Sequence, residues 1–208
     1  MPRAALTVDE IASFREEICA VAIRLFAERG YAGVTLRGIA SELGCSPMTP
    51  YRYYADKAAI FGAVRAAAFG RFADAQEEVV RRTPDPIGCL GELAGAYVRF
   101  ALEEPYAYRI MFELDPAPEA DDPDPPLEES RAWNALLGAI VHAVDAGALE
   151  GDPHTLAHLC WGGLHGIVSL HLAGKLRLGR SLPELTEPML SALLDGTRAR
   201  TPTPGDSR

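Results

Sequence analysis

The chain has 208 residues, 48% of them hydrophobic, and its 20 Lys and Arg against 29 Asp and Glu leave a net charge of −9. This length and apolar content fit one or two small soluble domains with a buried core. No run approaches the ~20 apolar residues that cross a bilayer, and MPRAALTVDE lacks the apolar core of a signal peptide, so a cytoplasmic protein without membrane association is expected.

The charge is unevenly spread. Residues 1–57 balance Arg3, Arg15, Arg24, Arg29, Arg37, Arg52 and Lys57 against Asp9, Glu10, Glu16, Glu17, Glu28, Glu42 and Asp56. The whole deficit therefore lies beyond residue 57, and a neutral head on an acidic body suits a protein that touches a polyanion with one end only.

Taken in chain order, residues 8–29 place Ile11, Phe14, Ile18, Val21, Leu25 and Phe26 at helical spacing, and Gly30 closes this first helix. Tyr31 follows directly, placed for the apolar contact that accompanies a glycine C-cap. Thr35 can cap a short second helix with Ile39, Ala40 and Leu43 on its apolar stripe, ended by Gly44. Ser46 then caps a third helix with Pro47 in its first position, leaving Met48, Thr49, Tyr51 and Arg52 to face outward or along a groove. Two short helices around a tight turn are the form of a major-groove DNA reader.

A long helix is expected from Asp56, its cap, through Ile60, Phe61, Val64, Phe69 and Phe72 toward Arg82. Thr83–Pro86 breaks it. Helical periodicity resumes over Ile87–Glu103, and Pro105 starts a short helix at Tyr106–Leu114. Asp115–Pro126, rich in prolines and acids, reads as a surface loop. Helices follow at Leu127–Ala146, with Gly147 as the stop, from Asp152-Pro153 to about Ala173, and after Ser181-Leu182-Pro183 with Leu185, Met189, Leu190, Leu193 and Leu194. No alternating strand, repeat or phosphate-binding glycine loop is found.

The stretch Ala22–Lys57 resembles the N-terminal domain of the TetR family of bacterial transcriptional regulators. The resemblance is carried by Ala22, Leu25, Phe26, Gly30, Tyr31 and Thr35, by Ile39, Ala40, Leu43, Gly44 and Ser46, and by Tyr51, Tyr53, Tyr54, Asp56 and Lys57. It implies an all-α chain: a three-helix helix-turn-helix domain at 1–57, a helical ligand-binding and dimerisation domain at 58–200, and a tail at 201–208. The implied function is a one-component repressor, a homodimer released from a near-palindromic double-stranded DNA operator by a small apolar or amphipathic effector. By position, Thr35 and Arg37 fall where relatives touch phosphate and sometimes a base edge. Ser46, Pro47, Met48, Thr49, Tyr51 and Arg52 fall on the recognition helix or its cap, and Tyr53 and Lys57 where backbone phosphates are gripped.

One departure stands out. Position 50 is usually leucine in this motif, whereas Pro50 removes a backbone donor inside the expected helix and can tighten or bend the turn. Pro47 and Met48 carry no side-chain donors, so base-specific contact rests on Thr49, Arg52 and either Tyr51 or Arg37, with Met48 limited to apolar contact such as a thymine methyl.

The second half resembles C-terminal domains of the family named for a Trp-His-Gly signature, here Trp161-Gly162-Gly163-Leu164-His165-Gly166. Tyr97, Phe100, Met111, Trp133, Trp161 and His165 are candidates to line a ligand site, with plain core as the other reading. Gly162, Gly163 and Gly166 cost helix stability, and either a close helix contact at a dimer interface or an adjoining pocket offsets that. His154, His158 and His165 share one face with Trp161, as metal ligands, interface residues or pocket walls; no acid lies close on that face, and no metal or cofactor is expected. Cys19, Cys45, Cys89 and Cys160 are scattered singly and read as reduced, buried thiols. No nucleophile with a spaced base appears, so no catalytic residue is assigned and the chain is read as no enzyme. A helical protein-interaction module without DNA binding, and behind it a metal-binding helical enzyme, are the competing classes.

Overall fold

The computed structural model describes residues 7–114 and 126–197. Apart from Pro126, the expected loop at Asp115–Pro126 lies outside the described residues, as does the tail 201–208. Every regular element among the described residues is helical: α1 (Val8–Arg29), α2 (Leu36–Glu42), a 3₁₀ turn (Pro50–Arg52), α3 (Lys57–Arg82), α4 (Pro86–Glu103), α5 (Pro105–Phe112), α6 (Leu127–Asp145), α7 (Pro153–Leu172) and α8 (Leu182–Asp195).

The helix ends follow local chemistry. At the start of α1 the Thr7 hydroxyl accepts from the Glu10 N–H at 3.2 Å while the Thr7 N–H donates to the Glu10 carboxylate at 2.8 Å, closing a capping box. Asp56 accepts from the Ala59 N–H at 2.8 Å, Asp152 from the Thr155 N–H at 2.8 Å, and Ser181 forms a second capping box with Glu184. Gly30 closes α1 with its N–H donating to the Phe26 carbonyl and a φ of 70°, a conformation that a Cβ would strain.

The chain divides into two compact units, one comprising Met1–Arg71 and Glu104–Glu128, the other Phe72–Glu103 and Glu129–Arg208. In the first, Ile18, Leu25 and Phe26 of α1, Ile39 of α2, Ile60, Phe61 and Val64 of α3 and Ile110 of α5 share one core. Tyr31 stacks on Phe26 with centroids 5.8 Å apart, and Phe61 meets both rings edge-on at 5.1 and 5.2 Å. Such pairs add to the area they bury. The core therefore takes in α5, far downstream of the first three elements. Polar bonds reinforce its seat: Arg109 Nη1 donates to the Ala27 carbonyl at 2.5 Å, completing a group left open in the last turn of α1, and the Tyr106 hydroxyl donates to Glu28 at 3.4 Å. Arg71 grips the Glu104 carboxylate through Nε at 3.2 and 3.1 Å and through Nη2.

In the second unit, Phe72 packs edge-on against Tyr97 and Phe100 with centroids 5.4 and 5.2 Å away. The buried Gln76 amide donates to the Leu93 carbonyl at 3.5 Å. Arg131 of α6 reaches Asp74 at 2.6 Å and Glu77 at 2.9 and 2.7 Å, holding α6 to the later turns of α3. α7 and α8 approach closely because position 163 is glycine: a Cβ there would stand 2.8 Å from Met189 Sδ and 3.0 Å from Leu193 Cδ1. Cys89 and Cys160 are buried, and burial pushes both thiols above their ordinary range; Cys19 and Cys45 are only half-buried.

Phe61, 2% exposed in the first core, meets both the Phe26 and the Tyr31 ring, so its loss leaves a void between them. Phe61→Ala is expected to destabilise the first unit by about 3–5 kcal/mol, read as a shifted midpoint in urea unfolding.

Candidate nucleic-acid interface

Thr35 caps α2 as expected, its hydroxyl accepting from the Gly38 N–H at 3.0 Å. The helix ends in a paired bond pattern, the Cys45 N–H donating to the Ala40 carbonyl at 3.0 Å and the Gly44 N–H to Ser41 at 3.2 Å, with Gly44 at φ 64°. Leu36, Ile39 and Ala40 face the core, which turns Arg37 outward into solvent.

The segment after this turn differs from the α-helix expected from Ser46. Three of its backbone bonds run three residues apart, Thr49 N–H to the Ser46 carbonyl at 2.8 Å, Arg52 N–H to Thr49 at 3.0 Å, and Tyr53 N–H to Pro50 at 3.0 Å, and the Pro50 carbonyl also accepts from the Tyr54 N–H, four residues on, at 3.0 Å. Pro50 is the cause. Having no N–H, it cannot make the four-residue bond back to Ser46, and the chain tightens into 3₁₀ geometry at that point. Ser46 serves as a weak cap, its hydroxyl 3.5 Å from the Met48 N–H. Pro50 is buried, Thr49 is half-buried, and Ser46, Pro47, Met48, Tyr51 and Arg52 are exposed.

The cations of this region are mostly engaged within the chain. Arg24 and Arg29 both pair with Glu42, at 2.7 and 3.3 Å, and the Arg24 bond holds the Glu42 carboxyl below the usual carboxylate range. Lys57 donates to the Tyr31 carbonyl at 2.8 Å, with its ammonium 4.1 Å from the Tyr31 ring centre. Arg15 lies 4.4 Å over the ring of Tyr54. The Tyr54 hydroxyl, 3.2 Å from Cys19 Sγ, is pushed up by burial and by that thiol. Tyr53 leans on Phe14 with centroids 4.8 Å apart. Among the described residues, no ion pair engages Arg37 or Arg52. Two exposed guanidinium groups and the hydroxyl and amide groups of the turn are what this surface offers to a phosphate backbone and base edges.

Among the candidate effector residues, the second unit brings together Tyr97, Trp133, Trp161 and His165. His165 Nδ1 is 3.3 Å from the Tyr97 hydroxyl and its Nε2 3.3 Å from Ser169 Oγ. Trp161 stands 6.1 Å from the His165 ring and 6.3 Å from Trp133, which also meets His158 at 4.5 Å. The His158 Nδ1–H donates to the His154 carbonyl at 2.7 Å, fixing its tautomer. Phe100 is buried against Phe72, and Met111 belongs to the first unit, where its carbonyl accepts from Arg65 at 3.4 Å. The Tyr97–His165–Ser169 chain joins residues distant in sequence, and only the one-turn spacing of His165 and Ser169 hinted at it.

Residues 18–64 match the model of bacterial regulatory proteins of the tetR family, and residues 90–193 match the tetracyclin repressor-like C-terminal domain. The chain belongs to the TetR family. It is a DNA-binding transcriptional regulator rather than an enzyme, with a helix-turn-helix at its N-terminal end. The regulator is similar in fold to a protein from Rhodococcus sp. RHA1, at 24% identity, TM-score 0.75, and coverage of 96% of this chain and 100% of that one. A TetR family transcription regulator from Marinobacter aquaeolei VT8 matches at 23% identity and TM-score 0.73 over 93% and 100% of the two chains. The fatty acid degradation regulator FadR from Bacillus halodurans matches at 21% identity and TM-score 0.73 over 89% and 97%. No match to a curated protein is found. Among the described residues no helix is long and apolar enough to cross a membrane, and no three His, Cys, Asp or Glu side chains gather as metal ligands.

Pro50→Leu returns the missing N–H to the regulator's turn. It is expected to lengthen the turn into an α-helix over residues 47–53, seen as helical Cα chemical shifts and slowed amide exchange at position 50.

Proposed function

We propose that the regulator is a cytoplasmic repressor, acting as a homodimer that leaves its near-palindromic operator when a small apolar or amphipathic effector binds. The exposure of Arg37 and Arg52 on a capped helix-turn-helix carries this reading, because neither makes an ion pair among the described residues, whereas Glu42 holds Arg24 and Arg29 and Tyr31 holds Lys57. In this reading residues 1–57 form the DNA-contacting head, 58–200 the effector-binding and dimerising body, and 201–208 a tail. Thr35, Arg37, Tyr53 and Lys57 meet phosphates, Lys57 with the donors its Tyr31 bond leaves over, and Ser46, Pro47, Met48, Thr49, Tyr51 and Arg52 face the groove.

The effector site is assigned to Tyr97, Trp133, Trp161 and His165 of the second unit, with the Trp161–Gly166 run as a Trp-His-Gly type signature. Aromatic rings beside one polar chain suit a mostly apolar molecule with a single hydrogen-bonding group, and the fatty acid regulator among the fold relatives supports that class. For the dimer, α7 presents Leu159 and Leu170, 50% and 45% exposed, beside Gly162 and Gly166, where an added Cβ would meet nothing within 4 Å. Glycines that cost helix stability without an internal contact are accounted for by a second helix, from the partner subunit, lying against them. α3, which runs from one unit into the other, is the lever: effector binding favours a dimer whose two reading turns no longer match major grooves about 34 Å apart.

Gel-shift titration on the DNA upstream of its own reading frame, with and without fatty acids, tests the proposal, and no specific shift at low salt overturns it. Arg52→Ala is expected to relax specificity at particular bases by about 1–3 kcal/mol. Lys57→Ala should weaken binding to all sequences and reduce the salt slope by about one, measured by fluorescence anisotropy across a salt series. Gly166→Glu is expected to give a monomer in sedimentation equilibrium; an unchanged dimer removes α7 from the interface.

A further inference from the structure

The apolar stripe that α3 turns into the second unit is interrupted at one position. Phe72, Ala73 and Val79 are buried there, and Gln76, on the same face, is 5% exposed. Among the described residues it is the one buried side chain of the polar or charged kind, tyrosine and cysteine aside. Its amide offers two N–H donors and an acceptor oxygen, and uses one donor, on the Leu93 carbonyl at 3.5 Å, longer than an ordinary bond of this type. The second N–H and the oxygen meet no partner among the described residues. A leucine would fill the same place without the cost of an under-used amide, so stability does not account for Gln76. Its surroundings supply a reason. Phe72, one turn earlier on α3, packs on Tyr97, and Leu93 lies one turn before Tyr97 on α4, which sets Gln76 beside Tyr97 where α3 meets α4. Tyr97 in turn reaches His165 at 3.3 Å.

We propose, resting on the effector site assigned above, that Gln76 binds the effector's head group, and that this head is neutral and both donates and accepts hydrogen bonds, as a primary amide or a hydroxyl does. Such a group fills the second N–H and the oxygen of Gln76 together. A carboxylate accepts only. It leaves the Gln76 oxygen facing another oxygen, and it enters an interior in which no Lys or Arg is buried among the described residues. Of the amphipathic molecules, fatty amides and alcohols are therefore favoured over fatty acid anions. Gln76 thus sets specificity, while the rings of Trp133, Trp161 and Tyr97 supply apolar contact.

The full chain carries two tryptophans, Trp133 and Trp161, 6.3 Å apart in this unit, so their fluorescence reports binding directly. Decanamide, 1-decanol and decanoate are titrated at neutral pH. The amide and the alcohol are expected to bind about ten-fold more tightly than the anion, and the tighter of the two names the head. Gln76→Leu should erase that preference and leave the thermal midpoint unchanged or higher, because it removes an under-used amide from an apolar interior. Gln76→Met, similar in length but without donors, repeats the comparison in a different shape. Equal affinity for all three molecules, a preference that survives both variants, or a lower midpoint in both, as a purely structural Gln76 would give, overturns the proposal while the effector site stands. No response to any of the three removes the site itself, and the proposal with it.

Discussion

The contact between Tyr31 and Lys57 closes the part of the chain that reads DNA. Tyr31 lies just past the end of α1 and Lys57 opens α3, and the ammonium of one rests on the ring and carbonyl of the other. Everything between them, α2 and the 3₁₀ turn included, is a loop clasped at its two ends. Phe26 and Phe61 hold the clasp from beneath, so its stiffness comes from burial and ring packing, while the cation settles the exposed rim. Gly30 makes this possible: its left-handed backbone folds Tyr31 back over α1 instead of letting the helix continue.

The same economy governs charge. A protein of net charge −9 binds a polyanion only if its cations are placed well, and in the first unit several are spent on architecture. Arg24 and Arg29 tie α1 to α2 through Glu42, Arg109 completes the end of α1, and Arg71 fastens Glu104. Arg37 and Arg52 are exposed and, among the described residues, make no ion pair. Electrostatic attraction to DNA is accordingly modest per chain, which is the condition under which the proposed dimer gains by engaging two sites at once.

Helix positions were legible in the sequence wherever the deciding force is local. Thr35, Asp56 and Asp152 cap, Gly30 and Gly44 terminate, and the long periodic stripes are helices close to the expected bounds. Pro50 announced a disturbance, but its outcome hung on which carbonyls the neighbouring amides would reach, and a kinked α-helix and a 3₁₀ turn begin from the same missing donor. What stayed hidden was tertiary. Ile110 looks like any apolar residue on a short helix, and nothing nearby says that it belongs with Ile18 and Ile39. Lys57 looked free for phosphate because Tyr31 lies 26 residues away. Tyr97 and His165 met only through folding.

The seat of α5 in the first core bears on inheritance. Ile110 and Arg109 sit some eighty positions after the α1 residues they complete, with α4 of the other unit intervening. The heritable module of DNA recognition is thus discontinuous along the gene. A crossover that swaps only the first sixty codons with a relative would join a foreign α1 to a resident α5, setting the wrong side chains against Ala27 and Ile18. New operator preferences in this lineage should therefore arise more readily by point changes in the exposed reading turn, which disturb no such partnership, than by exchange of whole heads.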